Sequence, residues 1–150
     1  MFPFFSYKTE RPKNSQQFGR AVEYAVFSAL IMGGGEIFPP AVDDDGVDVL
    51  VRRPKDHRYV SVQVKAVSNS SKDPGLFTAR LRLPRPDYWF VFYSEPLNKM
   101  WVMTAEEFVA RASKNSANSN DPDLYTINFG VHGNRFDVFS KEENLSRILY

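Results

Sequence analysis

Three polar residues, Asp48, Gln63 and Lys65, stand in two short segments of alternating valines. A carboxylate and an amide oxygen are hard donors of the kind that bind Mg²⁺ or Mn²⁺. Such an ion lowers the pKa of a water molecule and makes it a nucleophile, and a lysine nearby can orient that water or offset the charge of a phosphate. If the three side chains lie together, their combined chemistry suits the hydrolysis of a phosphodiester.

The spacing of the valines predicts how these residues are arranged. Valine at every second position predicts two β-strands, at 47–52 and 59–66, each with one valine face. An antiparallel hairpin must keep both valine faces on the same side, because a shift by one residue would expose a whole row. One such register joins Val47 with Val64, Val49 with Val62 and Val51 with Val60.

That register places the polar side chains together on the opposite face. Asp48 stands directly opposite Gln63, with about 5 Å between the Cβ atoms. Lys65 follows on the same face, about 6.7 Å further along its strand. The valine pattern therefore predicts a cation pocket formed by an acid, an amide and an amine. The alternative is a solvent-facing polar row on a half-exposed hairpin.

Glu23 is a charged residue among apolar neighbours on a predicted helix, 14–32. The residues three, four and seven positions further on are apolar, and Gly19 one turn earlier leaves space for a close approach to a strand or a substrate. A carboxylate in that setting is costly unless it is paired or bound to a cation. Two hypotheses stay open for Glu23: a third oxygen ligand that reaches down onto the sheet, or a salt bridge with a basic neighbour.

These residues together resemble a known family. An acid on a helix, Gly-x-Asp entering a strand and Gln-x-Lys in the next strand resemble the PD-(D/E)XK nuclease superfamily. The glutamine form, "VQVK" here, is most similar to the Mrr-like restriction endonuclease branch, and the similarity covers about residues 14–112. Two features depart from the family pattern. The stretch "DDDGVD" stands where the family has a Pro-Asp pair, and Gln63 lacks the charge of an acid, which weakens metal affinity and leaves open a site with reduced or lost catalysis.

The resemblance implies a role for each site residue. Asp48 matches the metal-binding acid, Gln63 the variable second ligand and Lys65 the catalytic lysine. The backbone carbonyl of Val64 matches a further metal ligand, and Glu23 matches the helix acid found in many members. The three aspartates at 43–45 are expected to form a solvated acidic turn, with the last of them as a helper at the metal.

The predicted elements indicate an α/β protein with a mixed central β-sheet flanked by helices. One helix is predicted at 14–32 with Asn14 as its N-cap, and a second begins at a capping box that joins Thr104 and Glu107. The resemblance implies a restriction-endonuclease-like α-β-β-β-α-β core with a four-stranded sheet, in a single domain, 1–150. Further strands are expected at 36–42, 76–83, 87–94, 99–103, 125–129 and 135–139, and a short terminal helix at 142–149.

The composition excludes several classes of protein. With 43% apolar and 25% charged residues the chain is an ordinary globular one, and 150 residues suffice for one domain. The absence of cysteine excludes disulfides and thiolate metal sites. No run approaches ~18 apolar residues, and the opening "MFPFF" is too short for the apolar region of a signal peptide. A soluble cytoplasmic protein with no membrane partner is therefore expected.

The charged residues indicate where a nucleic acid would bind. The net charge is +1, so a nucleic-acid partner must be met by a local basic patch. Basic residues cluster at the tip of the predicted hairpin and on the strand that follows. Such clusters contact phosphates, although a merely solvated tip fits the first cluster nearly as well. The predicted DNA-contacting residues are Arg52, Arg53, Lys55, Arg58, Arg80 and Arg82.

The favoured hypothesis is an endonuclease that depends on Mg²⁺ or Mn²⁺ and acts on DNA. One site on a small domain cuts one strand, so cleavage of a duplex implies a homodimer or a larger assembly. Two alternatives stay open: a non-catalytic nucleic-acid-binding module on the same fold, and a structural or immunity-type protein whose polar row binds another protein. Metal-dependent nicking distinguishes the first hypothesis, and binding of DNA in chelator distinguishes the second from the third.

Overall fold

The computed structural model describes residues 12–42, 46–82, 85–130 and 133–150, so the acidic turn expected at 43–45 lies outside it. Within these ranges no helix has the length and apolar character needed to cross a membrane. The strands are β1 (Glu36–Phe38), β2 (Val49–Arg52), β3 (Tyr59–Val67), β4 (Leu76–Arg80), β5 (Tyr88–Ser94), β6 (Lys99–Thr104), β7 (Ser113–Lys114) and β8 (Leu124–Asn128). The helices are α1 (Ser15–Met32) and α2 (Ala105–Arg111), and two 3-10 helical segments span Gly133–Phe139 and Glu142–Ile148.

A mixed five-stranded sheet in the order β1-β2-β3-β5-β6 forms the centre of the fold. Neighbouring strands are antiparallel except β3 and β5, which are parallel. The helix α1 packs on one face of this sheet, and α2 packs on the other face with a second antiparallel sheet, β4-β8-β7. This arrangement confirms the predicted fold class, a mixed β-sheet flanked by helices.

The register predicted for the central hairpin is confirmed. Val49 pairs with Val62 and Val51 pairs with Val60 across β2 and β3. These side chains are fully buried beneath α1, so the valine rows do determine which face of the hairpin is turned inward. The helix begins at its predicted N-cap, Asn14, whose side chain accepts a hydrogen bond from the Gln17 N–H at 2.9 Å. It contributes Phe18, Val22, Val26, Phe27 and Leu30 to the core.

Val47 departs from the prediction that all six valines share a face. The strand β2 begins only at Val49, and Val47 packs against the core on the other side of the sheet. The turn before it contains Gly46 with φ of 72°, a left-handed conformation that interrupts strand alternation. The expected pairing of Val47 with Val64 is therefore wrong.

A second core of aromatic residues fills the space between the central sheet and the second sheet. The strand β5 is buried at all seven positions, as its apolar sequence predicts for a strand covered on both faces. The predicted capping box is present at the start of α2, with Thr104 and Glu107 bonded reciprocally. Rings in contact within this core include Phe77, Phe90, Phe92, Trp101, Phe108 and Phe129.

Two parts of the structure differ from the predicted elements. The central sheet has five strands rather than four, because β1 adds an edge strand, and β4 joins the second sheet. The segment expected as a strand at 135–139 lies instead in a 3-10 helix. Phe136 and Phe139 are both buried while Val138 is exposed, and burial three residues apart matches the period of a 3-10 helix rather than the alternation of a strand.

Candidate active site

Asp48 lies immediately before β2, and its carboxylate is bonded to the next strand. The ladder of β2 and β3 ends where Val49 pairs with Val62, and the Asp48 N–H still donates to the Val62 carbonyl at 3.0 Å. Beyond that point the N–H of Val64 donates to Oδ2 of Asp48 at 2.6 Å, so a side chain takes the place of the next backbone partner. A short bond of this kind fixes the carboxylate beside the middle residue of the Gln-x-Lys motif.

Gln63 and Lys65 lie on the face of β3 that is turned away from α1. Oε1 of Gln63 lies 3.4 Å from the hydroxyl of Tyr88, which donates a shorter bond of 2.9 Å to the Gly46 carbonyl. Lys65 is half-buried, and no hydrogen bond or ion pair with another described residue engages its ammonium group. The amide is therefore held by its neighbours, whereas the ammonium group retains its capacity to bind a ligand.

A cleft of about 350 Å³ opens at these two side chains. Four of its lining residues are cationic, and none of the described lining residues is acidic. A concave surface with one sign of charge concentrates ligands of the opposite sign, so this cleft suits a phosphate. The lining residues are Gly46, Gln63, Lys65, Arg80, Leu81, Arg82, Arg85 and Tyr88.

Asp48 lines a neighbouring cleft of about 450 Å³ with Arg20 and Tyr24 of α1. The structure thus brings Gln63 and Lys65 into one cleft and places Asp48 in the next. The bond from Asp48 to the Val64 N–H connects the carboxylate to the strand that carries the other two residues. The convergence of all three groups on one ion stays a prediction.

Glu23 forms an ion pair with Arg20, one helical turn away, at 2.7 Å. The Glu23 side chain is 16% exposed, so the pair supplies a partner for a mostly buried carboxylate. This is the salt-bridge alternative expected from the sequence, and the role of Glu23 as a metal ligand stays a prediction. No described strand approaches Gly19 as closely as expected, because a Cβ placed on Gly19 would have no neighbouring atom within 4 Å.

Most of the predicted DNA-contacting residues are held in ion pairs with acids. Lys55 is the exception, and no described acid pairs with it. Exposed pairs of this kind contribute little to stability, and the guanidinium groups of Arg58, Arg80 and Arg82 remain accessible to a phosphate, whereas the Arg53 side chain is only 14% exposed. The pairs are Arg52–Glu36, Arg53–Asp56, Arg58–Asp87, Arg80–Asp121 and Arg82–Asp123.

In two of these pairs the pKa of one residue is shifted, that of Asp56 in the first and that of Arg80 in the second. The backbone N–H of Arg58 donates to the Asp56 carboxylate and lowers the pKa of that group, with nearby Arg53 acting in the same direction. The hydrogen bond that the Arg80 guanidinium donates to the Asp121 carboxylate raises the pKa of Arg80. Both shifts favour the charged forms. At the hairpin tip, the ionised Asp56 therefore offsets part of the positive charge of Arg53 and Arg58 at neutral pH.

Tyr88 is one of the residues of this cleft that the sequence did not single out. It begins a strand that is apolar throughout, and it is 3% exposed. Its hydroxyl bonds the Gly46 carbonyl and so connects β5 to the turn that precedes Asp48. The signal available in the sequence was the hydroxyl itself, because a buried tyrosine needs a hydrogen-bond partner.

Replacement of Gly46 is expected to disturb the site through Gln63. A Cβ at Gly46 would lie 2.8 Å from Nε2 of Gln63, and the φ of 72° disfavours any side chain. Gly46→Ala should therefore lower the free energy of unfolding by about 1–2 kcal/mol in urea titrations. The matched control, Gly19→Ala, lies in the open interior of a helix and should raise it by about 0.5–1 kcal/mol. Equal stability of Gly46→Ala and the unmodified chain would contradict the expectation.

Comparison with solved structures finds a similar path of the backbone in another protein. The bacterial homing endonuclease I-Ssp6803I aligns with 73% of this chain and 84% of its own chain, with a TM-score of 0.51 and 16% sequence identity. The chain has an endonuclease-like fold. At that identity the likeness concerns the path of the backbone alone, and it assigns no role to any residue of this chain. No protein-family model matches the chain, and no curated protein matches it.

Proposed function

We propose that this protein is a metal-dependent endonuclease that hydrolyses phosphodiester bonds in DNA. We further propose that it belongs to the PD-(D/E)XK superfamily, as a Gln-x-Lys variant of the Mrr-like branch. The observation that carries the proposal is the cationic cleft at Gln63 and Lys65, with the Asp48 carboxylate bonded to the backbone between them. The endonuclease-like fold supports the same class of function.

The donors near the end of β2 fit a hard divalent cation in their chemistry. The proposed ligands are the Asp48 carboxylate, the Gln63 amide oxygen and the Val64 carbonyl, with the Glu23 carboxylate as a fourth. All are oxygen donors, the kind that Mg²⁺ and Mn²⁺ prefer. Carboxylate and carbonyl oxygens can accept more than one interaction, so the bonds from Val64 and Arg20 leave capacity for an ion.

The chain's own residues supply the remaining tasks. When bound, a divalent ion supplies positive charge at the scissile phosphate and acidifies water. Lys65 then orients the attacking water or donates a hydrogen bond to a phosphate oxygen, which stabilises the charge that develops there. Arg80, Arg82 and Arg85 hold the flanking phosphates at the mouth of the cleft. Tyr88 keeps Gln63 and the turn at Gly46 in position.

Metal-dependent nicking of a supercoiled plasmid tests the proposal. The full chain should convert supercoiled plasmid to the open-circular form with Mg²⁺ or Mn²⁺ and should be inactive in chelator. Asp48→Asn should lose this activity because it removes the one charged ligand among the three on the hairpin. Plasmid that stays supercoiled with either metal, at protein concentrations that bind DNA, would refute a catalytic role.

The contacts with phosphates are tested by the salt dependence of binding. The Arg82 side chain is 88% exposed and only loosely paired, at 3.8 Å from Asp123. Arg82→Ala should weaken binding of DNA in chelator and reduce the slope of log K against log salt by about one. Arg135→Ala, an exposed arginine on a 3-10 segment, is the matched control and should leave the slope unchanged. An unchanged slope for Arg82→Ala would remove this residue from the interface.

A second candidate is a nucleic-acid-binding module without catalysis. Two features of the proposed metal ligands favour it. Glu23 already forms an ion pair with Arg20, and Gln63 stands where the family has an acid, which removes a negative charge. Such a module would bind DNA in chelator with strong salt dependence and would never nick it. The plasmid assay therefore separates the two candidates.

A further inference from the structure

On the side that carries Gln63 and Lys65, neither core of the described residues covers the half of the central sheet formed by β1 and β2. The aromatic core covers β5 and β6 on this side. By contrast, the two hydrophobic cores contain no described side chain from this face of β1 or β2. Alternation along β3 and cross-strand pairing with β2 and β1 define the members of this open face. They are Glu36, Phe38, Leu50, Arg52, Tyr59 and Ser61.

Two aromatic rings stand in contact on the open face. Phe38 is 46% exposed and Tyr59 is 51% exposed, and their ring centroids are 6.1 Å apart. Arg52 is the cross-strand partner of Tyr59. The Arg52 guanidinium donates a hydrogen bond of 2.8 Å to the Glu36 carboxylate, which fixes its position. Single exposed apolar residues are ordinary, but two touching rings beside a guanidinium on an uncovered sheet form a surface suited to a ligand.

We infer that the open face stacks the bases of unpaired nucleotides in the DNA that enters the cleft, an inference that rests on the proposed function. Aromatic rings and guanidinium planes are the groups on which bases rest when a protein binds a single strand on a sheet. Within a duplex the base faces are covered by their neighbours, so rings fixed on a sheet reach them only where nucleotides are unpaired. The substrate class is therefore DNA with a single-stranded segment beside the cleavage point.

Position and charge favour nucleic acid over protein as the occupant. Tyr59 and Gln63 lie four residues apart on β3, which is about 13 Å at the rise of a strand, a distance spanned by a few nucleotides. The hairpin tip, with Arg53, Lys55 and Arg58, lies at one end of the open face and the cationic cleft at the other. A strand whose bases rest on the rings would thus have its phosphates near cations at both ends.

Binding of an oligothymidylate of about 16 nucleotides to the full chain in chelator tests the inference. The double variant Phe38→Leu, Tyr59→Leu keeps apolar side chains but loses the rings, and it should bind about 10- to 100-fold more weakly. Tyr59→Phe keeps the ring and should bind as the unmodified chain does. Val138→Ala removes an exposed apolar side chain from a 3-10 segment outside the open face and should also bind normally. A duplex of the same length should compete poorly.

Three results would overturn the inference. The first is equal binding by the leucine double variant, and the second is a duplex bound as tightly as the single strand. The third is dimerisation of the chain that persists in the leucine double variant but is abolished in the double variant Phe38→Asp, Tyr59→Asp. This result would identify the open face as an interface between copies. If the unmodified chain fails to nick plasmid with either metal but still binds single strands through Phe38 and Tyr59, the proposed function is refuted and the stacking surface stays in place.

Discussion

Lys65→Ala is expected to lower the rate of metal-dependent nicking by about 10²- to 10⁴-fold, the range that a positioned proton-transfer or charge-stabilising group contributes. Lys65 is half-buried in the cationic cleft, and no described residue engages its ammonium group, so its replacement removes a contact to substrate or water rather than a contact within the protein. The free energy of unfolding should therefore change by less than about 1 kcal/mol. The measurement is the single-turnover rate of plasmid nicking at saturating protein and metal.

Two controls make this result specific to Lys65. Lys141→Ala removes an exposed lysine at the start of the last 3-10 segment, where its side chain makes no cap hydrogen bond, and should leave the rate unchanged. Lys65→Arg keeps the charge but not the compact ammonium group, and should recover DNA binding more than cleavage. A nicking rate for Lys65→Ala within about threefold of the unmodified chain would exclude the proposed role, since general acid–base groups contribute at least tenfold more.

Phe90→Ala is expected to lower the free energy of unfolding by about 3–5 kcal/mol, because it leaves a cavity at the centre of the aromatic core. Phe90 is fully buried on β5, stacked on Phe92 at 5.5 Å and in contact with Phe108 at 4.7 Å between ring centroids. It is also the cross-strand neighbour of Gln63, so the loss should loosen the site as well. Urea titration followed by the fluorescence of the two tryptophans, both buried, measures the change.

The matched control for this change is Phe38→Ala. The same truncation on the open face, where Phe38 is 46% exposed, should cost less than about 1 kcal/mol. The contrast separates an aromatic residue that stabilises the fold from one that is available to a ligand. A loss below about 1.5 kcal/mol for Phe90→Ala would show that the core closes around the missing ring, against the dense packing described above.

The sequence alone determined the features that depend on local periodicity and capping. Alternating valines determined the register of β2 on β3, because a slip by one residue would expose a row of apolar side chains. An unbroken apolar run is typical of a strand covered on both faces, as β5 is, and the side chains of Asn14 and Thr104 correctly marked the first turns of the helices. Each of these signals lies within a few residues of the element that it defines.

Only the tertiary structure decided which distant groups meet at the site. The turn at Gly46 sends Val47 to the other core, and the end of the ladder leaves the Asp48 carboxylate to bond the Val64 N–H. Tyr88 reaches that turn from a strand 42 residues away, and Arg80 meets Asp121 across 41 residues. No local pattern encodes such contacts, because they arise from how the two sheets and the helices pack. The polar residues of the hairpin could thus be named from their spacing, whereas the division of the site between two clefts could not.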